Sequence, residues 1–70
     1  MSNFVYTPTV AIIVIGEHTP EEIELKWYPY AEKGYDFIVF QYPNDVDETQ
    51  LQEDILKYEE QYQAVEILYG

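Results

Sequence analysis

Six consecutive apolar residues, Val10-Ala11-Ile12-Ile13-Val14-Ile15, stopped by Gly16, constrain this chain more than any other stretch. All but Ala11 are β-branched, which favours a strand, and a run that is apolar in both phases suits a strand covered on both of its faces. Ile12 and Val14 then need cover on one side, and Ala11, Ile13 and Ile15 on the other. Phe4-Val5-Tyr6-Thr7 is a candidate extension of this strand, with Pro8 forcing a bulge or an edge position.

The next segment carries two conflicting signals. Thr19-Pro20-Glu21-Glu22 is a good helix start, with a Thr N-cap, Pro at the first helical position and Glu three residues after the cap. Against it, Ile23, Leu25 and Trp27 alternate with Glu22, Glu24 and Lys26, which is the period of a strand. Pro29 would also cut a helix to about two turns. A strand over Glu22–Tyr30 is therefore the favoured reading and a short helix the alternative. Ala31-Glu32-Lys33-Gly34 reads as a tight turn joining it to a strand over Tyr35–Tyr42 as a hairpin, with Gly34 supplying the left-handed residue.

The second half is less ambiguous. Asp47 caps a helix, Gln50 stands three residues on, and Val46 can staple to Leu51. Leu51, Ile55, Tyr58 and Tyr62 then line one side of a helix running to about Tyr62. Val65, Ile67 and Tyr69 alternate with Ala64, Glu66 and Leu68, giving a final strand. The expected fold class is α+β: a mostly antiparallel sheet of about four strands in the order β-β-β-α-β, with one helix on one face. The uncovered second face predicts a partner protein or a homodimer, because large exposed apolar patches are uncommon on monomers. Tyr and Trp are also favoured at interfaces.

With 70 residues, the chain is expected to form a single domain over 1–70. Such a domain buries about 60% of its unfolded surface, which leaves a small core and little room for an enzyme pocket. The apolar fraction of 47%, with 8 Tyr, 3 Phe and 1 Trp, is too high for a disordered acidic tail. Without a basic segment at Met1-Ser2-Asn3-Phe4 or an apolar run longer than six residues, neither a signal peptide nor a membrane helix is expected.

The inventory for catalysis is thin. The chain has no Cys, no Arg, one Ser at position 2 and one His at position 18, so no nucleophile, base and orienting group can be assembled, and no enzyme is expected. Asn44-Asp45-Val46-Asp47-Glu48 resembles a calcium loop only superficially. Counted from Asp45, the sixth position is Gln50 where Gly belongs and the twelfth is Leu56 where a bidentate Glu belongs. No metal and no cofactor are expected.

The charge is more informative: 14 Asp and Glu against 3 Lys give a formal net charge of -11. Nucleic acid and anionic membrane surfaces would both repel such a domain, so its natural partner is basic. On the wheel of the second-half helix, Glu53 and Glu60 oppose the apolar side, with Glu48 and Glu59 on one flank and Asp47 and Asp54 on the other. Leu56 stands alone among the polar positions, where an apolar anchor would sit. In size, acidity, aromatic content and lack of cysteine, the chain resembles the small phage-encoded DNA-mimic proteins that inhibit host nucleic-acid-binding proteins. The resemblance is one of composition over the whole chain and transfers no individual residue. It implies a cytoplasmic, non-enzymatic inhibitor that blocks the DNA site of a basic protein such as a histone-like nucleoid protein, a nuclease or a CRISPR effector. The expected contact residues are Asp47, Glu48, Glu53, Asp54, Leu56, Glu59 and Glu60. The alternative is an interaction module that docks a larger complex through an apolar sheet face, its acids serving solubility alone.

Overall fold

The computed structural model describes residues 7–70; of the expected extension over Phe4–Thr7, Phe4, Val5 and Tyr6 lie outside the described residues, and Thr7 stands before β1 and is not part of it. The elements are β1 (Thr9–Ile15), α1 (Pro20–Ala31), β2 (Asp36–Tyr42), α2 (Glu48–Gln61) and β3 (Ala64–Leu68). The three strands form one sheet in the order β2-β1-β3, and both pairings are parallel. The expected four-stranded, mostly antiparallel β-β-β-α-β sheet is thus overturned, and strands alternate with helices instead.

The apolar run explains this arrangement. β1 is the central strand, and Val10 to Val14 are fully buried. Val10, Ile12 and Val14 pack under Ile23, Trp27 and Tyr30 of α1, while Ile13 and Ile15 pack under Leu51, Ile55 and Tyr58 of α2. A parallel strand pair needs a crossover, and each crossover here supplies a helix to one face. The cover expected from a second copy of the chain therefore comes from α1, so the reason for expecting a homodimer through that sheet face is gone.

The segment read as a strand, Glu22–Tyr30, is helical because the capping signals win. The Thr19 hydroxyl accepts the Glu22 N–H at 3.3 Å, and Pro20 opens the helix. Ile23 and Trp27 satisfy both periods, and Leu25 is the residue that misleads: it is 64% exposed and points away from the sheet. Pro29 lies inside the helix near its end, on the exposed side. The Leu25 carbonyl that it cannot serve is thus open to water, which limits the usual penalty.

Gly34 does adopt a positive φ of 83°, but it ends α1 rather than turning a hairpin. The Tyr35 N–H donates to the Tyr30 carbonyl at 3.1 Å and the Gly34 N–H to the Ala31 carbonyl at 3.0 Å. This is the Schellman pattern, and the Tyr30 and Tyr35 rings make its usual apolar contact at 5.3 Å. The second helix and last strand form as expected. The Asp47 carboxylate accepts the Thr49 N–H at 3.1 Å, and Val46 packs in the cluster containing Leu51. Gln50 donates to Asp54 at 3.0 Å rather than completing a capping box.

Two substitutions test this packing. Ile12→Ala is expected to cost about 3 kcal/mol, most of the stability of so small a domain. Pro29→Ala should raise stability by about 1 kcal/mol by restoring the bond to the Leu25 carbonyl. Urea denaturation followed by circular dichroism reads both.

Candidate functional site

Because both helices follow parallel strands, both begin at the carboxyl end of the sheet. Asp47, in the loop before α2, and Glu48, in its first turn, are thereby joined by Glu17 from the β1–α1 loop, by Glu21 and Glu22 from the first turn of α1, and by Asp45. The two helix N-termini offset part of this charge through the orphan N–H groups of their first turns. Reading Glu22–Tyr30 as a strand hid this convergence. The cap signal at Thr19-Pro20 was the one sequence feature that could have revealed it.

This end is shaped by a sharp turn at Gly16, which has φ 84° and donates its N–H to the Tyr42 carbonyl at 2.9 Å. The Gln41 amide nitrogen donates to the Gly16 carbonyl at 2.6 Å. The Asn44 carboxamide lies so close over Gly16 and Gly70 that a Cβ at either would overlap it. In open α/β sheets ligands bind outside the carboxyl ends of the strands, in this chain the space between Gly16 and the end of β3. Here the Asn44 side chain fills it, leaving a shallow cleft beside it lined by Gly16, Glu17, His18, Thr19, Glu22 and Gln41.

His18 anchors that cleft. One ring nitrogen meets the Glu22 carboxylate and the other meets the Ile15 carbonyl at 3.2 Å. Both partners accept, so the protonated imidazolium satisfies them together. The hydrogen bond with Glu22 raises the His18 pKa above 6.5, and the same bond lowers that of Glu22 below 4.5. Among the described residues this is the single ion pair, and no lysine reaches a carboxylate. Nor does any group of three or more His, Asp or Glu among the described residues form a metal-holding cluster.

On α2, the expected contact residues separate by orientation. Glu48, Glu53, Glu59 and Glu60 are exposed, as is Asp47 at the cap, and Leu56 stands out among them at 62% exposure. Asp54 is half-buried and faces the sheet, accepting from the Tyr42 hydroxyl at 2.8 Å and from Gln50. Those two hydrogen bonds, Tyr42 first, lower its pKa, whereas burial and the bonds to Tyr58 and Asp54 push the Tyr42 phenol far up. Glu66 is held similarly at the other edge, accepting from Tyr30 at 2.5 Å and pushing that phenol up to about 12. All the acids apart from Asp54 and Glu66 are exposed.

Comparison of the chain with protein-family models, curated proteins and solved structures finds no match. Among the described residues, no helix is long and apolar enough to cross a membrane.

The His18 and Glu22 pair makes stability depend on pH in two directions. With its folded pKa raised, His18 contributes fully below about 6.5, and that contribution is lost as pH rises through the folded value. With its folded pKa lowered, Glu22 contributes fully above about 4.5 and loses its contribution as pH falls through the folded value. Thermal melts should therefore show a lower Tm at about pH 8 than at about pH 6, and His18→Gln should flatten that difference. An unchanged pH dependence in the variant would show that the pair contributes nothing.

Proposed function

We propose that this protein is a non-enzymatic, cytoplasmic inhibitor that occupies the cationic nucleic-acid site of a basic DNA-binding protein. One observation carries the reading: an outward-pointing excess of carboxylates with which no lysine among the described residues forms an ion pair. Glu53 and Glu60 face outward along α2, flanked by Glu48 and Glu59, and the helix starts from the acid-rich carboxyl end of the sheet with Asp47. A helix of 14 residues extends this charge over about 21 Å, long enough to follow a basic groove. Asp54 braces the surface from below through Tyr42 and Gln50 instead of facing the partner. Leu56 supplies an apolar contact amid the charge.

The alternative of docking through a wholly uncovered apolar sheet face loses its main support, since α1 and α2 cover the two faces of β1 and, among the described residues, leave apolar exposure in the sheet only along β2.

Capture from a bacterial lysate on the immobilised protein, eluted by a salt gradient, is the first test. DNA-binding proteins should be retained at about 50 mM salt and should lose at least about tenfold in affinity by about 200 mM. The captured protein should then release labelled duplex DNA as the inhibitor is added. Glu53→Lys with Glu60→Lys should weaken that displacement, and Leu56→Asp should weaken it about tenfold without lowering Tm. If nothing basic is retained at low salt, the reading is wrong.

A further inference from the structure

The two edges of the sheet are unequal. β3 carries Glu66 in its middle, tied to Tyr30, and a charge within an edge strand discourages pairing with another chain. β2 has no such device. Its seven residues pair with β1 in unbroken register without a bulge, it contains neither Pro nor Lys, and its one charge, Asp36, lies at its start. Phe37, Ile38 and Val39 are each 37 or 38% exposed, on alternating sides of the strand.

Among the described residues, the backbone along that edge is open as well. The Asp36 N–H donates to the Pro8 carbonyl and the Tyr42 carbonyl accepts from Gly16, both at 2.9 Å, so even-numbered residues of β2 face the β1 side. By the alternation of a parallel ladder, Phe37, Val39 and Gln41 turn their N–H and C=O groups away from the sheet. The Phe37 N–H is taken by its neighbour's carboxylate, Asp36 Oδ1 at 2.9 Å. Val39 lies at the centre of the open stretch.

Side-chain surroundings supply the rest. On the α1 side, Phe37 and Val39 line a mostly apolar notch with Pro20 and Ile23, rimmed by Glu24 and by His18, whose charge is taken up by Glu22. On the α2 side, Phe40 stacks on Tyr58 at 4.1 Å. Charge is asymmetric across α1: Lys26 and Lys33 lie at the opposite margin beside Glu66, while Glu24 and Asp36 flank the β2 edge. The remaining lysine, Lys57, lies on α2 near Asp54.

We propose that the outer edge of β2 accepts an extended segment of the basic partner as a fourth strand, with alternate apolar side chains entering the notch beside Phe37 and Val39 and the intervening basic ones turned to the α2 side, the side of Asp36. The proposal rests on the reading of the partner as a cationic protein. Main-chain bonds to Val39 would supply affinity, and the notch and Asp36 would supply selection. Charge decides against a second copy as occupant, because two chains of -11 repel each other whereas a basic segment is attracted.

The probe is a labelled peptide of five Lys-Val repeats, compared with five Lys-Pro repeats, which keep the charge but cannot form the ladder. The Lys-Val peptide should bind at least about tenfold more tightly, and should slow hydrogen exchange at the Val39 amide. Val39→Pro removes the outward N–H without touching the β1 ladder and should erase the difference between the peptides. Val39→Lys keeps the N–H and should weaken binding by repulsion, which guards against a misfolded proline variant. Equal binding of the two peptides, or an unprotected Val39 amide, would overturn the proposal. A doubled mass with Val39 already protected in the absence of peptide would overturn it too, by placing a second copy on the edge. If DNA displacement by the protein persists while these peptide results fail, the inhibitor reading stands and strand addition alone falls.

Discussion

Burial of β1 on both faces is the constraint from which the rest of the molecule follows. A strand whose residues from Val10 to Val14 have no exposed surface must be central, and neighbours on both sides of it take up its backbone groups. With β1 in the middle of a parallel sheet, each crossover has to carry a helix, and the two helices fall on opposite faces because both faces of β1 are apolar. Parallel winding then sends both helix N-termini to one end of the sheet. The convergence of Glu17, Glu21, Glu22, Asp45, Asp47 and Glu48 at that end is a consequence of the core and not a separate feature.

The acids are tolerated by different means in different places. Those in the first turns meet the positive ends of helix dipoles. Asp54 and Glu66, the two that are half-buried, each accept a tyrosine hydroxyl, so the phenols act as neutral donors that bring carboxylates into the sheet margins without needing a lysine. The other carboxylates stand in water and repel one another. Such self-repulsion works against a core this small. The surface keeps it nonetheless, and no lysine closes an ion pair among the described residues.

How much of this was legible in the sequence depends on which signals agreed. For α2 the cap, the staple and the apolar spacing all pointed the same way, and the helix runs where they placed it. The last two strands were equally plain, since branched and aromatic residues were bounded by Pro43 and by the end of the helix. For α1 the local signals disagreed: Thr19 and Pro20 marked a helix start, while Leu25 completed a strand period and Pro29 argued against continuation. The structure resolves the conflict through tertiary packing, with Ile23, Trp27 and Tyr30 covering β1 and both misleading residues turned to solvent. That one segment decided the topology. Taken as a strand it made a hairpin with β2 and an antiparallel sheet; taken as a helix it makes a crossover and a parallel one. The need to cover both faces of β1 was already readable, but with Glu22–Tyr30 read as a strand it pointed to a partner or a second copy instead of to a second helix of the same chain.

The site was legible residue by residue but not as a surface. Helical spacing was enough to put Glu53, Glu60 and Leu56 on the outer side of α2, because that depends only on the helix. It could not separate Asp54 from its neighbours, since its inward turn depends on Tyr42 of β2 being within reach. Nor could it show the difference between the two sheet edges, which exists only once β2 and β3 are known to lie on either side of β1. A central strand needing two neighbours leaves two edges, and only the β3 edge has a charge in its middle. The apolar content of β2 cannot be explained by burial alone, since three consecutive residues of it remain more than a third exposed. An edge composed this way on a protein of such charge is protected from its own kind by repulsion. The same charge that weakens the fold thus works against a second copy of the chain pairing at the β2 edge.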